Sequence, residues 1–227
     1  MQSRFDELFR ASATLVREGR PQRDSIPVEG GRWPISLVMD QPPELTRALL
    51  PLTSAVLGFV GSGHFVTGHP EAAHITLRAL EPRRGATRPG DPFVRRCAAA
   101  LERSTALTTA PTFTLTGVTL TPISVMAQLE TTEGWQLMQI LEAELGADAH
   151  YERDLGMSRD IFYSNVIHLA GDIADPSGLV DWVAAHRQIA PVRFTPRTAS
   201  LVHFDHATVD GHQIIRMNRW YTYPFAT

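Results

Sequence analysis

The chain contains no lysine, because all 21 of its positively charged residues are arginine. Without a lysine amine there is no Schiff-base or pyridoxal-phosphate chemistry, no P-loop or kinase-strand lysine, and no ligase that carries a nucleotide on lysine. Arginine still serves for phosphate, since its planar guanidinium stays charged and offers a fork of donors. Cysteine is nearly as scarce: the single Cys97 excludes an intramolecular disulfide framework and a cysteine-based metal cluster. A reducing, cytoplasmic setting is expected. No apolar run approaches the roughly 18 to 20 residues needed to span a bilayer. Residues 1–20 carry Arg, Asp and Glu instead of a basic stretch followed by an apolar core, so neither a leader nor a membrane partner is expected. An excess of positive charge is lacking too. A net charge of −3 and a pI near 6.3 argue against sequence-independent coating of nucleic acid and leave room for a small phosphorylated ligand held by a few arginines. The G-x-S-x-G, G-x-G-x-x-G and H-E-x-x-H patterns are absent, which leaves serine-hydrolase, dinucleotide and zincin readings without support.

What is present is a chain of 227 residues, 43% apolar and 20% charged, an ordinary globular composition. Residues 1–20 place Phe5, Leu8, Phe9, Leu15 and Val16 at helical spacing, with Ser12 in the same stripe. The following "PQRDSIPVEGGR" reads as a linker, so residues 1–30 form a helical extension ahead of a main domain over 31–227. The main domain opens with the strand "WPISLVMD", a helix starting near Pro42 and Pro43, and a turn "GHFVTG" that holds at most a short strand. The strand "AAHITLRAL", a helix through Cys97 and the strand "TFTLTGVTL" follow. A second pass runs "PISVMAQLE", a helix capped by Thr131 or Thr132, the strand "IFYSNVIHLAG", and a helix opened by Asp175 and Pro176. The strands "VRFTPRTASLVHF" and "QIIRMNRWYTYPF" close the chain.

The order of elements nearly repeats. Trp33 lies 41 residues before His74 and Ile123 lies 45 before His168; each begins a strand–helix–strand unit ending in a strand with one histidine. Such duplication predicts an α+β fold of two lobes, each a small antiparallel sheet backed by helices, with the two histidines meeting across the gap. In "AAHITLRAL" the strand period of two puts His74, Thr76 and Arg78 on one face and Ile75, Leu77 and Ala79 on the other. A hydroxyl and a guanidinium beside an imidazole form a phosphate-binding trio.

Here the sequence resembles the 2H phosphoesterase superfamily, the 2′-5′ RNA ligase-like and cyclic nucleotide phosphodiesterase proteins. The resemblance spans roughly residues 33–225 in order of elements. It implies an internally duplicated bilobal fold with one His-x-Thr/Ser motif per lobe. His74-Ile75-Thr76-Leu77 matches the first motif. The second departs from the pattern: His168 occupies the duplicated position, but Ala170 stands where a hydroxyl is expected. An offset alignment would place Val166 at the catalytic position instead, and His203 with Asp205 is a competitor for His168. The resemblance implies a metal-independent, cofactor-free phosphodiesterase acting on 2′,3′-cyclic or 2′-5′ phosphodiesters of nucleotides or RNA ends. In that reading His74 and His168 are catalytic and Thr76 and Arg78 bind substrate. The alternative is a degenerate member that binds a nucleotide or metabolite, or runs a different reaction in the same cleft. His64 and His69 are expected to line the approach to the cleft or sit in exposed turns. Tyr163, Trp220, Tyr221 and Tyr223 are candidates for base stacking or for packing.

Overall fold

In the computed structural model, which describes residues 4–157 and 159–226, the chain alternates between two four-stranded antiparallel sheets. The first sheet has the order β2-β1-β7-β8, built from β1 (Ile35–Asp40), β2 (His74–Glu81), β7 (Thr198–Val209) and β8 (His212–Pro224). The second has the order β5-β4-β3-β6, built from β3 (Phe113–Leu120), β4 (Ser124–Glu130), β5 (Phe162–His168) and β6 (Val192–Phe194). Each sheet thus holds one strand–helix–strand unit with its histidine strand at the edge: β1, α2 (Pro43–Val60) and β2, then β4, α4 (Glu133–Leu145) and β5. The two-lobed α+β expectation holds.

Local chemistry sets the boundaries. Pro43 opens α2 at a position whose N–H has no helical partner, and Gly61, at φ 77°, closes it with its N–H on the Leu57 carbonyl. Thr131 Oγ1 accepts the Gly134 N–H ahead of α4, and, beyond the one-turn α5 (Tyr151–Asp154), Asp175 Oδ1 accepts the Gly178 N–H at the start of α6 (Pro176–Ala185). One expectation is corrected: "VRFTPRTASLVHF" is not a single strand. It breaks between Phe194 and Thr198, so that β6 lies in one sheet and β7 in the other. Pro196 sits in that break and has no N–H to offer a ladder.

The core runs through both lobes, with Ile35, Leu37, Met39, Ile75 and Leu77 from one sheet and Phe113, Leu115, Phe162 and Ile167 from the other. At about 25 cal/mol per Å² of apolar surface, each such side chain contributes roughly 1.5–3 kcal/mol when fully buried. The helix α3 (Pro92–Ala106) packs on β7 and β8, with Cys97 fully buried among its apolar neighbours. Burial pushes the Cys97 thiol up to about 12, so it behaves as a small apolar side chain.

The lobes are stitched together at "GHFVTG", whose sequence reads as a turn. Phe65 exchanges backbone hydrogen bonds with His168, at 3.0 and 2.9 Å, while the Val66 N–H bonds the Gln213 carbonyl at 2.8 Å. This two-residue bridge joins the end of β5 to β8. The N-terminal helix α1 (Arg4–Arg17) docks on β3 and α6: the Phe5 carbonyl accepts from Thr119 Oγ1 and the Asp6 carboxylate from Arg187. Residues 20–33 then run as an extended strap from one lobe to the other. Gln22 and Asp24 bond through their amides to Pro122 and Leu169, whereas Gly30 bonds Arg83 and Glu29 takes the Gly85 N–H. No helix of the described residues is long and apolar enough to cross a membrane.

Candidate active site

His74 begins β2 and His168 ends β5, and both line one chamber of about 300 Å³ between the sheets. Thr76, Tyr163, Asn165 and Arg159 share that lining. Behind the two imidazoles runs an arc of rings: His74 to Phe204 at 5.2 Å between centroids, Phe204 to Trp33 at 5.8 Å, and Trp33 to His168 at 4.8 Å.

The histidines are held differently. His74 Nδ1 lies 2.7 Å from the Ala72 carbonyl. A carbonyl only accepts, so Nδ1 carries the proton and Nε2 presents a lone pair. Burial, outweighing the Ala72 bond and reinforced by His168 and Arg159, lowers His74 to about 4. His168 is 3% exposed, and its Nδ1 lies 2.7 Å from Asp24 Oδ2. Burial lowers its pKa below the ordinary 6.5, and Asp24 partly offsets that. Burial would raise the Asp24 carboxyl, but the His168 contact and the charge of Arg32 hold it below its usual range. The His168 ring therefore faces an ionised carboxylate, which supports its protonated form. Among the described residues, His168 Nε2 has no hydrogen-bond partner.

Asp24 was hidden in what read as a linker. Its side chain is completely buried, its amide is pinned to Leu169 at 2.6 Å, and its Oδ1 accepts the Ser25 N–H. Trp33 is the other contribution of the strap: it packs on His168 and donates Nε1–H to the Ser25 carbonyl. Its φ of 68° costs on the order of 1–3 kcal/mol for a bulky residue. That backbone aims the indole into the chamber wall.

The row predicted on β2 is broken after Thr76. His74 and Thr76 face the chamber, but the pairing with β1 shifts register so that Val38 opposes Thr76 and Leu37 opposes Arg78, leaving Leu77 unopposed. Ala79 therefore takes the next chamber-facing place. Arg78 is not among the chamber-lining residues; its guanidinium bonds Glu152 at 3.0 Å and approaches Glu142 at 3.5 Å. Arg159, not Arg78, is the arginine at the chamber wall beside Thr76. It borders the chamber, is tied to the buried Glu152, and reaches the Thr76 carbonyl at 3.5 Å. Burial pushes Glu152 up, but Arg159 and Arg78 bring it below the ordinary range, so it is ionised. Proximity in sequence carried no sign of this network, since Arg78, Glu152 and Arg159 come from two lobes.

Of the remaining candidates, only Tyr163 borders the chamber among the described residues. Val166 is buried core. His203 stacks on Trp220 at 5.1 Å and lies 3.6 Å from Asp205, while strand alternation gives the chamber face to Phe204 between them. His64 is not in an exposed turn: it is 2% exposed, contacts the Val60 and Asp172 carbonyls through Nε2, and accepts the Ala170 amide at Nδ1. It braces the loop after His168, where Ala170 replaces the expected hydroxyl. His69 is partly buried, 3.7 Å from Asp210. Of the aromatic candidates, Tyr163 lines the chamber, whereas Trp220 packs on His203 and Tyr221 bonds the Pro89 carbonyl.

The histidines also set a pH dependence of stability. His74 is lowered on folding, so the unfolded chain takes up a proton that the folded chain refuses as pH falls below 6.5. Its share of stability is complete above 6.5 and is lost progressively down to about 4. At about 1.4 kcal/mol per pKa unit, that loss is of the order of 2–3 kcal/mol. Urea unfolding at pH 7 and pH 4 is expected to show it, with a smaller difference in His74→Asn; an equal difference in both proteins would assign the effect elsewhere.

The two antiparallel sheets of duplicated order, backed by helices, match the 2H phosphoesterase-like fold. The chain superposes on TT0787 of Thermus thermophilus with a TM-score of 0.55 and 15% identity, covering 84% of this chain and 97% of that one. Escherichia coli LigT in its apo form gives 0.49 and 13%, covering 89% and 100%. A structure described as a phosphoesterase gives 0.43 and 15%, covering 86% and 99%. No protein-family model and no curated protein matches the sequence. At such identities the likeness is one of fold.

Proposed function

We propose that this protein is a phosphodiesterase that acts on 2′,3′-cyclic or 2′-5′ phosphodiesters of nucleotides or RNA ends. The observation that carries the reading is the pair of imidazoles in one chamber, one with a free Nε2 lone pair and the other backed by a carboxylate. His74 Nε2 removes the proton from the attacking oxygen, either water or a neighbouring ribose hydroxyl. The new oxygen–phosphorus bond forms as the bond to the departing oxygen breaks, and His168 Nε2–H protonates that oxygen. One proton enters His74 as another leaves His168, so net charge is conserved. Thr76 Oγ1 and the Arg159 guanidinium border the space where the nonbridging oxygens gather charge. Arg78 acts through Glu152, which fixes Arg159.

The kcat/KM of the free enzyme is then a bell. Its rising limb reports His74, which burial lowers to about 4, and its falling limb reports His168, which burial lowers and Asp24 partly restores. A bound phosphate anion raises both limbs in kcat. Side chains supply both proton transfers, so EDTA is expected to leave turnover unchanged; loss of activity in chelator would contradict the scheme. The test is purified protein against a panel of nucleoside 2′,3′-cyclic phosphates and 2′-5′ dinucleotides. A binding-only reading has one observation in its favour, the methyl of Ala170 in place of a hydroxyl. It is supported if the panel binds without turnover and the proposal then fails.

A further inference from the structure

A second chamber, of about 270 Å³, opens on the far side of His168. Seven of its lining residues also line the first chamber, His168, Asn165, Arg159 and Tyr163 together with Arg32, Glu152 and Met157, whereas His74 lines only the first. Its own walls come from α1, the turn between β3 and β4, and the residues leading into β5, with Leu8, Ile123, Met126 and Ile161 as the apolar surface. The shared residues form the neck between the two spaces, and His168 is one of them. Two buried polar atoms at that neck, His168 Nε2 and Asn165 Oδ1, have no hydrogen-bond partner among the described residues. Buried polar atoms are nearly always paired in a native structure, so these two mark where a ligand's polar groups belong.

The charge around the second chamber is balanced. Arg4 lies 3.2 Å from Asp160 and 2.8 Å from Glu7, Arg159 is tied to Glu152, and Arg32 lies 3.5 Å from Asp24. Arg159 borders both chambers and is already assigned to the reacting phosphate, while Arg4 and Arg32 each face a carboxylate, so the second chamber adds no free cation for a second phosphate. The apolar walls, with Thr121 and Ser124 beside them, suit a flat or ring-shaped group bearing hydroxyls.

We infer that the second chamber receives the leaving half of a linear phosphodiester, an uncharged hydroxyl-bearing unit of nucleoside size, with the phosphorus held at the neck between His74 and His168. The inference rests on the proposed reaction and agrees with its division of labour, because the general acid is the histidine that borders the leaving group's chamber. A cyclic mononucleotide fills only the first chamber. The N-terminal helix therefore acts in substrate choice, through Leu8.

The experiment compares kcat/KM for a 2′-5′ dinucleoside monophosphate, the same compound phosphorylated on the leaving nucleoside, and a nucleoside 2′,3′-cyclic phosphate. The linear diester is expected to exceed the cyclic phosphate by about tenfold or more, equivalent to about 1.4 kcal/mol of transition-state binding. The extra phosphate is expected to bring no gain. Leu8→Trp on α1 and Ile123→Trp on the β3–β4 turn, which fill the chamber from independent elements, are each expected to lower the linear-to-cyclic ratio about tenfold. Because the readout is a ratio between substrates, a general loss of fold does not imitate it, and either variant suffices if the other does not fold. Cyclic turnover with no preference for the linear diester would overturn the inference and leave the reaction standing. A gain from the added phosphate, or an unchanged ratio in the filled variants, would overturn it equally. No turnover of any of the three would sink the reaction and the inference together.

Discussion

His74→Ala and His168→Ala are each expected to lower kcat by roughly 10²- to 10⁴-fold, the range that positioned acid–base groups supply, while KM changes little. Two features of the structure make the expectation specific. Both imidazoles line a single chamber; His74 Nδ1 bonds the Ala72 carbonyl and His168 Nδ1 lies 2.7 Å from the Asp24 carboxylate, so the scheme uses Nε2 of both. The two act on one event, so their effects are not independent. The double variant is expected to be about as slow as the slower single one, whereas multiplied losses would mean that the histidines serve separate steps. His203→Ala is the control, since that ring stacks on Trp220 and the strand turns Phe204 toward the chamber. Activity should stay within about twofold. A large loss there, with His168→Ala active, would move the second catalytic position to β7.

Asp24→Asn is expected to reduce kcat/KM by about ten- to a hundredfold, and to do so unevenly across pH. The carboxylate raises the proton affinity of His168 against burial and the charge of Arg32, which both lower it. With a neutral amide in its place the imidazolium becomes scarcer at any given pH, and the falling limb of the bell moves to lower pH. The rising limb, set near 4 by His74, stays in place. The bell therefore narrows from its alkaline side. Imidazole titration by NMR reads the same shift directly at His168. A uniform loss at every pH, with the His168 titration unmoved, would show that Asp24 acts only through packing. The residue's complete burial and its amide bond to Leu169 make Asn the appropriate change, since it keeps shape while removing charge.

The duplicated order of elements, the two-lobed fold and the first histidine motif were legible in the chain, because strand alternation, helix caps and Pro/Gly punctuation act over a few residues. His74 and Thr76 share a face for the same reason. Arg78 left that face through a register shift against β1, and such a shift depends on the partner strand, which period-two counting in β2 does not contain. The single strand expected through Pro196 was divided because β6 and β7 pair in different sheets. Asp24 and Arg159 lie in stretches with no periodicity at all. Their places beside His168 and at the chamber wall exist only because the strap crosses between lobes and because Glu152 draws arginines from both.

By itself the sequence determined what chemistry was available: histidine, hydroxyl and arginine without lysine, in a twice-used strand–helix–strand plan that follows from local backbone preference. Only the tertiary structure decided which groups meet. It paired His168 with a carboxylate from the N-terminal strap, exchanged one arginine for another, and opened a chamber on each side of the second imidazole. The physical reason is range. Propensity and periodicity are set by neighbours along the chain, whereas a proton affinity or a cavity is set by whatever packing and strand register bring within a few ångströms.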